Sequence, residues 1–211
     1  MALQQITDMK HRLAETMKTV RQTKKAVLFS HVEAVAAMKP LQIYQTSGHS
    51  YKGERFYWRD SAGDLALCGM GIAAKLKPDR IGRNRFTQVR EQWEALLSKA
   101  SMNTGLHEAA TGPLLFGGFS FVEGEKASSG LWEDLEDYLF YLPRFLLTES
   151  AHGVFLTSTK LITDDCEDHM IEEFLREREQ LLSLPPLMGA SIPAVSQFEE
   201  KNAGRWKKSI E

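Results

Sequence analysis

Short runs of strand-forming residues, punctuated by turn chemistry and enclosed between two segments of helical period, constrain this chain more than any other feature. From Leu3 the apolar positions Ile6, Met9, Leu13, Met17 and Val20 recur every three or four residues, the period of one helix face. Near the other end Asp164 and Asp165 precede Met170, Ile171, Phe174, Leu175 and Leu181, so a second amphipathic helix begins where acidic residues suit the helix dipole. Between them, residues 26–35, 54–59, 64–74, 114–122, 138–148 and 153–159 read as strands, the first rich in β-branched and aromatic side chains. That first run partly alternates apolar with polar from Phe29, as a strand on one side of a sheet does. Asp60-Ser-Ala-Gly63 is hairpin-turn chemistry between the second and third runs, and Glu149-Ser-Ala-His152 separates the last two. Residues 85–100 read as a further helix with Phe86, Val89, Trp93 and Leu96 or Leu97 facing inward. Strands and helices do not alternate regularly, which predicts an α+β fold with an antiparallel sheet and packed helices.

Composition narrows what such a fold can do. Of 211 residues 43% are apolar, ample for a buried core, and 26 basic residues stand against 28 acidic ones. A net charge of −2 supplies no field for nucleic acid or an anionic membrane, so neither is expected as a partner. No apolar run approaches the roughly 18 residues of a spanning helix. Asp8 and Glu15 interrupt the basic amino-terminal segment, which argues against a targeting peptide and makes the cytoplasm the expected compartment. The basic residues of the first helix, Lys10 and Lys18 among them, read as its solvated side. Two cysteines, Cys68 and Cys166, are too few for a disulfide framework and read as reduced packing residues.

The organisation along the chain is uneven. Residues 1–182 form the α+β unit. Residues 183–195 carry three prolines, no charge and no period, and read as a linker. Residues 196–211, with Phe198, Trp206 and Ile210 at helical spacing, read as the start of a further unit that is cut short.

Several constellations invite a chemical reading that their spacing does not sustain. Gly69-Met-Gly71 lacks the third glycine and the following helix of a dinucleotide fingerprint, so its glycines are expected where a ring or backbone packs closely on a strand. Lys75, Lys77, Arg80, Arg83 and Arg85 crowd one loop without interleaved aromatics and read as solvated. Asp164, Asp165, Cys166, Glu167, Asp168 and His169 are consecutive, whereas ligands on a helix need spacings of three or four, so helix capping is the expected role of the acids. His11, His31, His49, His107, His152 and His169 are scattered without an acid–base partner at a telling distance. No catalytic, cofactor-binding or metal-binding residue is therefore assigned.

The segment Gly112-Pro-Leu-Leu-Phe-Gly-Gly-Phe-Ser-Phe121 alternates large apolar with tiny residues, and Gly117 with Gly118 predicts a buried strand approached closely by a helix or ring. With Gly130-Leu-Trp132, Phe140 and Leu142-Pro-Arg144 after it, and Glu54-Arg-Phe-Tyr-Trp58 and Leu67-Cys-Gly-Met-Gly-Ile-Ala73 before it, the chain resembles the amino-terminal half of the isochorismate synthases. The order and spacing of these motifs carry the likeness, over about residues 26–206. They are chorismate-binding enzymes, alongside the anthranilate, aminodeoxychorismate and salicylate synthases.

The resemblance implies an antiparallel sandwich fold and, for the whole enzyme, isomerisation of chorismate to isochorismate. In that family a lysine activates water as general base, a glutamate acts as general acid, and further glutamates hold a Mg2+ on the substrate carboxylate. Those groups belong to the carboxy-terminal half, so no cofactor is expected on this chain and its own activity is expected to be absent. The implied partner is that catalytic half, with self-association through an uncovered face. The early signature of the anthranilate branch is missing, since Leu146-Leu-Thr-Glu-Ser150 is late and interrupted, and the long amino-terminal extension leans to the menaquinone type. The competing readings are an autonomous interaction or ligand-binding module, or part of a sibling salicylate or anthranilate synthase.

Overall fold

The computed structural model describes residues 2–79, 84–103, 108–121 and 136–184. In chain order these form α1 (Ala2–Thr23), β1 (Val27–Ala34), α2 (Pro40–Thr46), β2 (Arg55–Arg59), β3 (Ala66–Leu76), α3 (Arg85–Leu97), β4 (Ser101–Met102), β5 (Phe116–Phe119), β6 (Tyr138–Ser150), β7 (Gly153–Ile162) and α4 (Asp168–Leu182). One sheet runs in the order β2-β3-β6-β7-β1-β4, with β5 also paired to β6. The fold is α+β as the patterning predicts, and every pairing is antiparallel except β1 with β4. The linker beyond Leu184 and residues 196–211 lie outside the described residues.

The core follows from two helical stripes. Met9, Leu13, Met17 and Val20 of α1 and Ile171, Phe174 and Leu181 of α4 join Phe29, Cys68, Met70, Phe145, Leu147 and Leu156 of the strands in a single cluster. Phe145 and Phe174 stack with centroids 5.4 Å apart. Each buried side chain of this size stabilises the fold by about 1.5–3 kcal/mol relative to exposure.

β1 departs from the alternation read in its sequence. Ser30, His31 and Glu33 are as buried as their apolar neighbours. The reason is that both faces of this part of the sheet are covered. α1 and α4 lie on one face, while the segment around residues 110–112 crosses the other, where Thr148 donates to the Ala110 carbonyl at 2.7 Å and the Gly112 amide donates to Thr157 Oγ1 at 3.0 Å. Buried polar side chains must then find partners inside the protein. Glu33 meets Arg178 of α4 in a two-pronged pair, Nε to Oε1 at 2.7 Å and Nη2 to Oε2 at 2.5 Å, with the two side chains only 3% and 7% exposed.

The acidic residues ahead of α4 serve a different purpose from capping. Glu167, the residue at the cap position, makes no side-chain hydrogen bond to the helix. Asp164 and Asp168 instead receive Lys24 and Arg21, each at 2.7 Å, and so tie the end of α1 to the start of α4. α2 is an element that the period-based reading passes over, being only seven residues long. Its signal is Pro40 at the first helical turn, where a missing N–H costs nothing, and Pro40 and Ile43 are both buried.

The β2–β3 hairpin forms where expected, with the Asp60 amide donating to the Leu65 carbonyl at 3.0 Å and the Leu65 amide to Asp60 Oδ1 at 3.2 Å. Gly69 sits directly across from Phe56, and a Cβ there would fall 2.0 Å from the ring. The glycine is therefore what lets Phe56 lie flat over β3 and meet Phe116 at 3.9 Å between centroids. This is the close ring contact expected of the glycine pair.

α3 is the element that fits its predicted face least well. Asn84 caps it by accepting from the Phe86 and Thr87 amides at 3.0 and 3.1 Å. Yet Val89, Trp93, Leu96 and Leu97 are only half-buried, Phe86 is exposed, and the deepest side chain is Gln88. The helix rests lightly on β1 and β3, so its apolar stripe meets little of the sheet.

Because both charges of the Glu33–Arg178 pair are out of water, removing one leaves the other unpaired. Arg178→Leu should destabilise the chain by about 3–5 kcal/mol in urea denaturation, and the double variant with Glu33→Leu should recover much of that loss. Equal costs for the single and double variants would show the pair to be solvated.

Candidate functional site

The exposed apolar surface concentrates where α3 meets β5. β5 pairs with the first residues of β6, Phe116 facing Tyr141 and Phe119 facing Tyr138. Phe119 reaches Phe86 of α3 at 4.5 Å, Phe140 edge-on at 5.1 Å and Tyr138 at 6.0 Å between centroids. Tyr138 is the buried base of the group. Its hydroxyl donates to Gln88 Oε1 at 3.5 Å and accepts from Gln92 Nε2 at 3.2 Å, and burial holds its pKa above the ordinary phenol value. Arg85 lies over the Phe86 and Phe119 rings at 5.2 and 5.6 Å, and its Nη1 donates to Ser120 through the carbonyl at 2.7 Å and the hydroxyl at 3.0 Å. Above this base the rings open outward. Phe86 is 55% exposed, Phe119 37%, and Phe121 is fully exposed. A soluble protein rarely shows clustered aromatics to water without a partner for them.

β5 itself is not the buried strand expected from its glycines. It is exposed from Gly117 onward. A Cβ on Gly117 would come within 2.0 Å of the Leu139 carbonyl oxygen and 2.7 Å of Phe140 Cα, whereas one on Gly118 would meet nothing within 4 Å. The close approach is thus real at one glycine only. What approaches is the backbone of β6, the strand to which β5 is paired.

The other constellations read in the sequence are dispersed by the fold. Cys68 and Cys166 are free and buried, and burial pushes the Cys68 thiol up to about 12, which keeps it an unreactive packing residue. Lys75 lies over the Tyr141 ring and Lys77 pairs with Glu136 at 3.5 Å, while Arg80 and Arg83 fall outside the described residues. His152 meets Glu108 at 2.8 Å and His169 meets Glu167 at 3.1 Å, both at the surface, and His107 is outside the described residues. His31 is different: it is buried and 3.2 Å from Arg12, a contact between residues on different elements that no spacing announces. Among the described residues no three carboxylate, imidazole or thiol groups converge as metal ligands would. The described helices include none long and apolar enough to cross a membrane.

The geometry thus presents an open aromatic patch beside β5 and α3. Residues 14–211 match the family described as "Chorismate binding enzyme". The chain belongs to the chorismate-binding enzyme family. Within it, the chain is 29% identical over 189 residues to isochorismate synthase MenF of Bacillus subtilis (strain 168), a match covering 88% of this chain. The chain spans about 40% of the length of that relative, in its amino-terminal part.

The two glycines of β5 allow a direct check of how the patch is built. Gly117→Val should lower stability by about 1–3 kcal/mol, because the backbone of β6 cannot give way, while Gly118→Val should leave the denaturation midpoint nearly unchanged. Equal effects at both positions would show that β5 does not lie against β6 as described.

Proposed function

We propose that this chain is the amino-terminal scaffold of an isochorismate synthase of the menaquinone type, acting in the cytoplasm. Its sheet and helices support a catalytic portion contributed by the rest of the parent protein. In this reading the general base, the general acid and the glutamates that hold Mg2+ all belong to that other portion, and chorismate binds only when the two are together. The match to the amino-terminal part of MenF over 88% of this chain is the observation that carries the proposal. Phe86, Phe119 and Phe121 offer the catalytic portion an apolar anchor, since buried aromatics dominate the energetics of such contacts. In the absence of that portion the same rings favour self-association.

The test separates the two halves. The purified chain with Mg2+ should convert chorismate no faster than a protein-free control, and adding the separately expressed carboxy-terminal portion should produce isochorismate. The paired substitutions Phe86→Ser and Phe119→Ser should weaken that association by at least about tenfold in a titration followed by light scattering. Turnover by the chain alone, or a strictly monomeric chain indifferent to the other portion, would instead identify an autonomous module.

A further inference from the structure

The buried network beneath α1 is not needed for the proposed scaffold role, and its chemistry points to a conditional contact. Arg12 of α1 places Nη1 3.2 Å from His31 Nδ1 and Nη2 3.4 Å from both the Ser30 carbonyl and Ser101 Oγ, with its guanidinium 5.2 Å over the Phe29 ring. One side chain thus joins α1, β1 and β4. A guanidinium has donors only, so the Nδ1 that faces it must present a lone pair. His31 is therefore neutral, with its proton on Nε2, a buried atom that finds no partner among the described residues.

We propose that His31 is a proton-sensitive latch, whose neutral ring accepts Arg12 and holds α1 and β4 on β1, and whose protonation releases them. A second proton can go only to Nδ1. It would turn the acceptor into a donor aimed at Arg12 and bring two cations into contact inside the protein, where such repulsion is poorly screened. No neighbouring group absorbs the new charge outright. α1 contributes Asp8 as well as Arg12, β1 contributes Glu33, and α4 contributes Arg178, which already occupies both oxygens of Glu33. β7 places the uncharged Ser158 directly opposite His31, with Lys160 two positions along and over the Phe174 ring. Burial is the leading cause holding the His31 pKa below its ordinary value, with the two carboxylates and two guanidiniums acting in opposite directions.

The direction of the effect follows. A histidine whose folded-state pKa is depressed stabilises the fold fully above its unfolded value of about 6.5, and that contribution is lost as pH falls below it. α4 should be spared, because its anchor is the two-pronged Glu33–Arg178 pair, which makes no hydrogen bond to His31. Hydrogen exchange on the full chain between about pH 7.5 and pH 5, corrected for intrinsic rates, tests the latch. Protection of the α1 amides should fall by about tenfold while α4 keeps its own. His31→Gln retains an acceptor for Arg12 and cannot titrate in this range, so it should abolish the fall. An unaltered fall in His31→Gln, or loss of α1 and α4 together in the native chain, would overturn the latch. Should the variant not fold, NMR titration of labelled histidines in the native chain decides the matter. The His31 ring should stay largely neutral at the ordinary histidine value of about 6.5, and a His31 already charged there would refute the proposal.

Discussion

The Glu33–Arg178 pair is the interaction on which the arrangement of layers depends. It joins the strand next to the β4 edge of the sheet to the helix that closes the described fold, 145 residues later in the chain. Both charges are almost wholly removed from water, which is costly unless each finds its partner with good geometry. The only arrangement that satisfies both sets α4 at one height and angle over β1. α1 is then confined to the remaining width of that face, where Arg21 and Lys24 meet the start of α4 and Arg12 reaches His31 on β1. The apolar contacts supply most of the stabilisation, but they are tolerant of small shifts. The charge pair is not, and it fixes the register.

The two sides of the sheet differ in consequence. The side under α1 and α4 is a filled core, from Met9 and Leu13 through Phe29 and Phe145 to Phe174. On the other, α3 sits lightly and the aromatics around Phe119 remain open to water. An α+β layer normally buries both faces of its sheet or leaves one of them polar. An aromatic surface is neither, and this is the physical reason for reading the chain as a scaffold that works against further protein. It agrees with a family match that spans about 40% of the length of a curated relative.

The acidic run from Asp164 to His169 shows how proximity in sequence misleads about chemistry. In sequence it could pass for a ligand cluster or a cap. In the fold two of its carboxylates pair with lysine and arginine side chains 140 and 147 residues away, and Cys166 turns inward as a packing residue. A similar reassignment occurs at the β5 glycines, where the close neighbour is the backbone of β6 at one position and open space at the other. Neither outcome violates a local rule; each depends on what a distant segment does.

Periodicity alone was enough to place α1 and α4, the β2–β3 hairpin and the β6–β7 pair, because helix and strand repeats are local and their turns carry their own hydrogen-bonding chemistry. The order of glycine and aromatic motifs was likewise enough to point to the chorismate-binding enzymes. Tertiary structure alone decided that both faces of β1 are buried, that Glu33 and His31 point inward to arginines on two different helices, and that Phe86 faces water although its spacing placed it with the core. The difference is one of range. A side chain's tendency to be helical or extended is written in its near neighbours, whereas the dielectric around it, and hence whether a charge is solvated or must be paired, is set by which distant segments come to cover it.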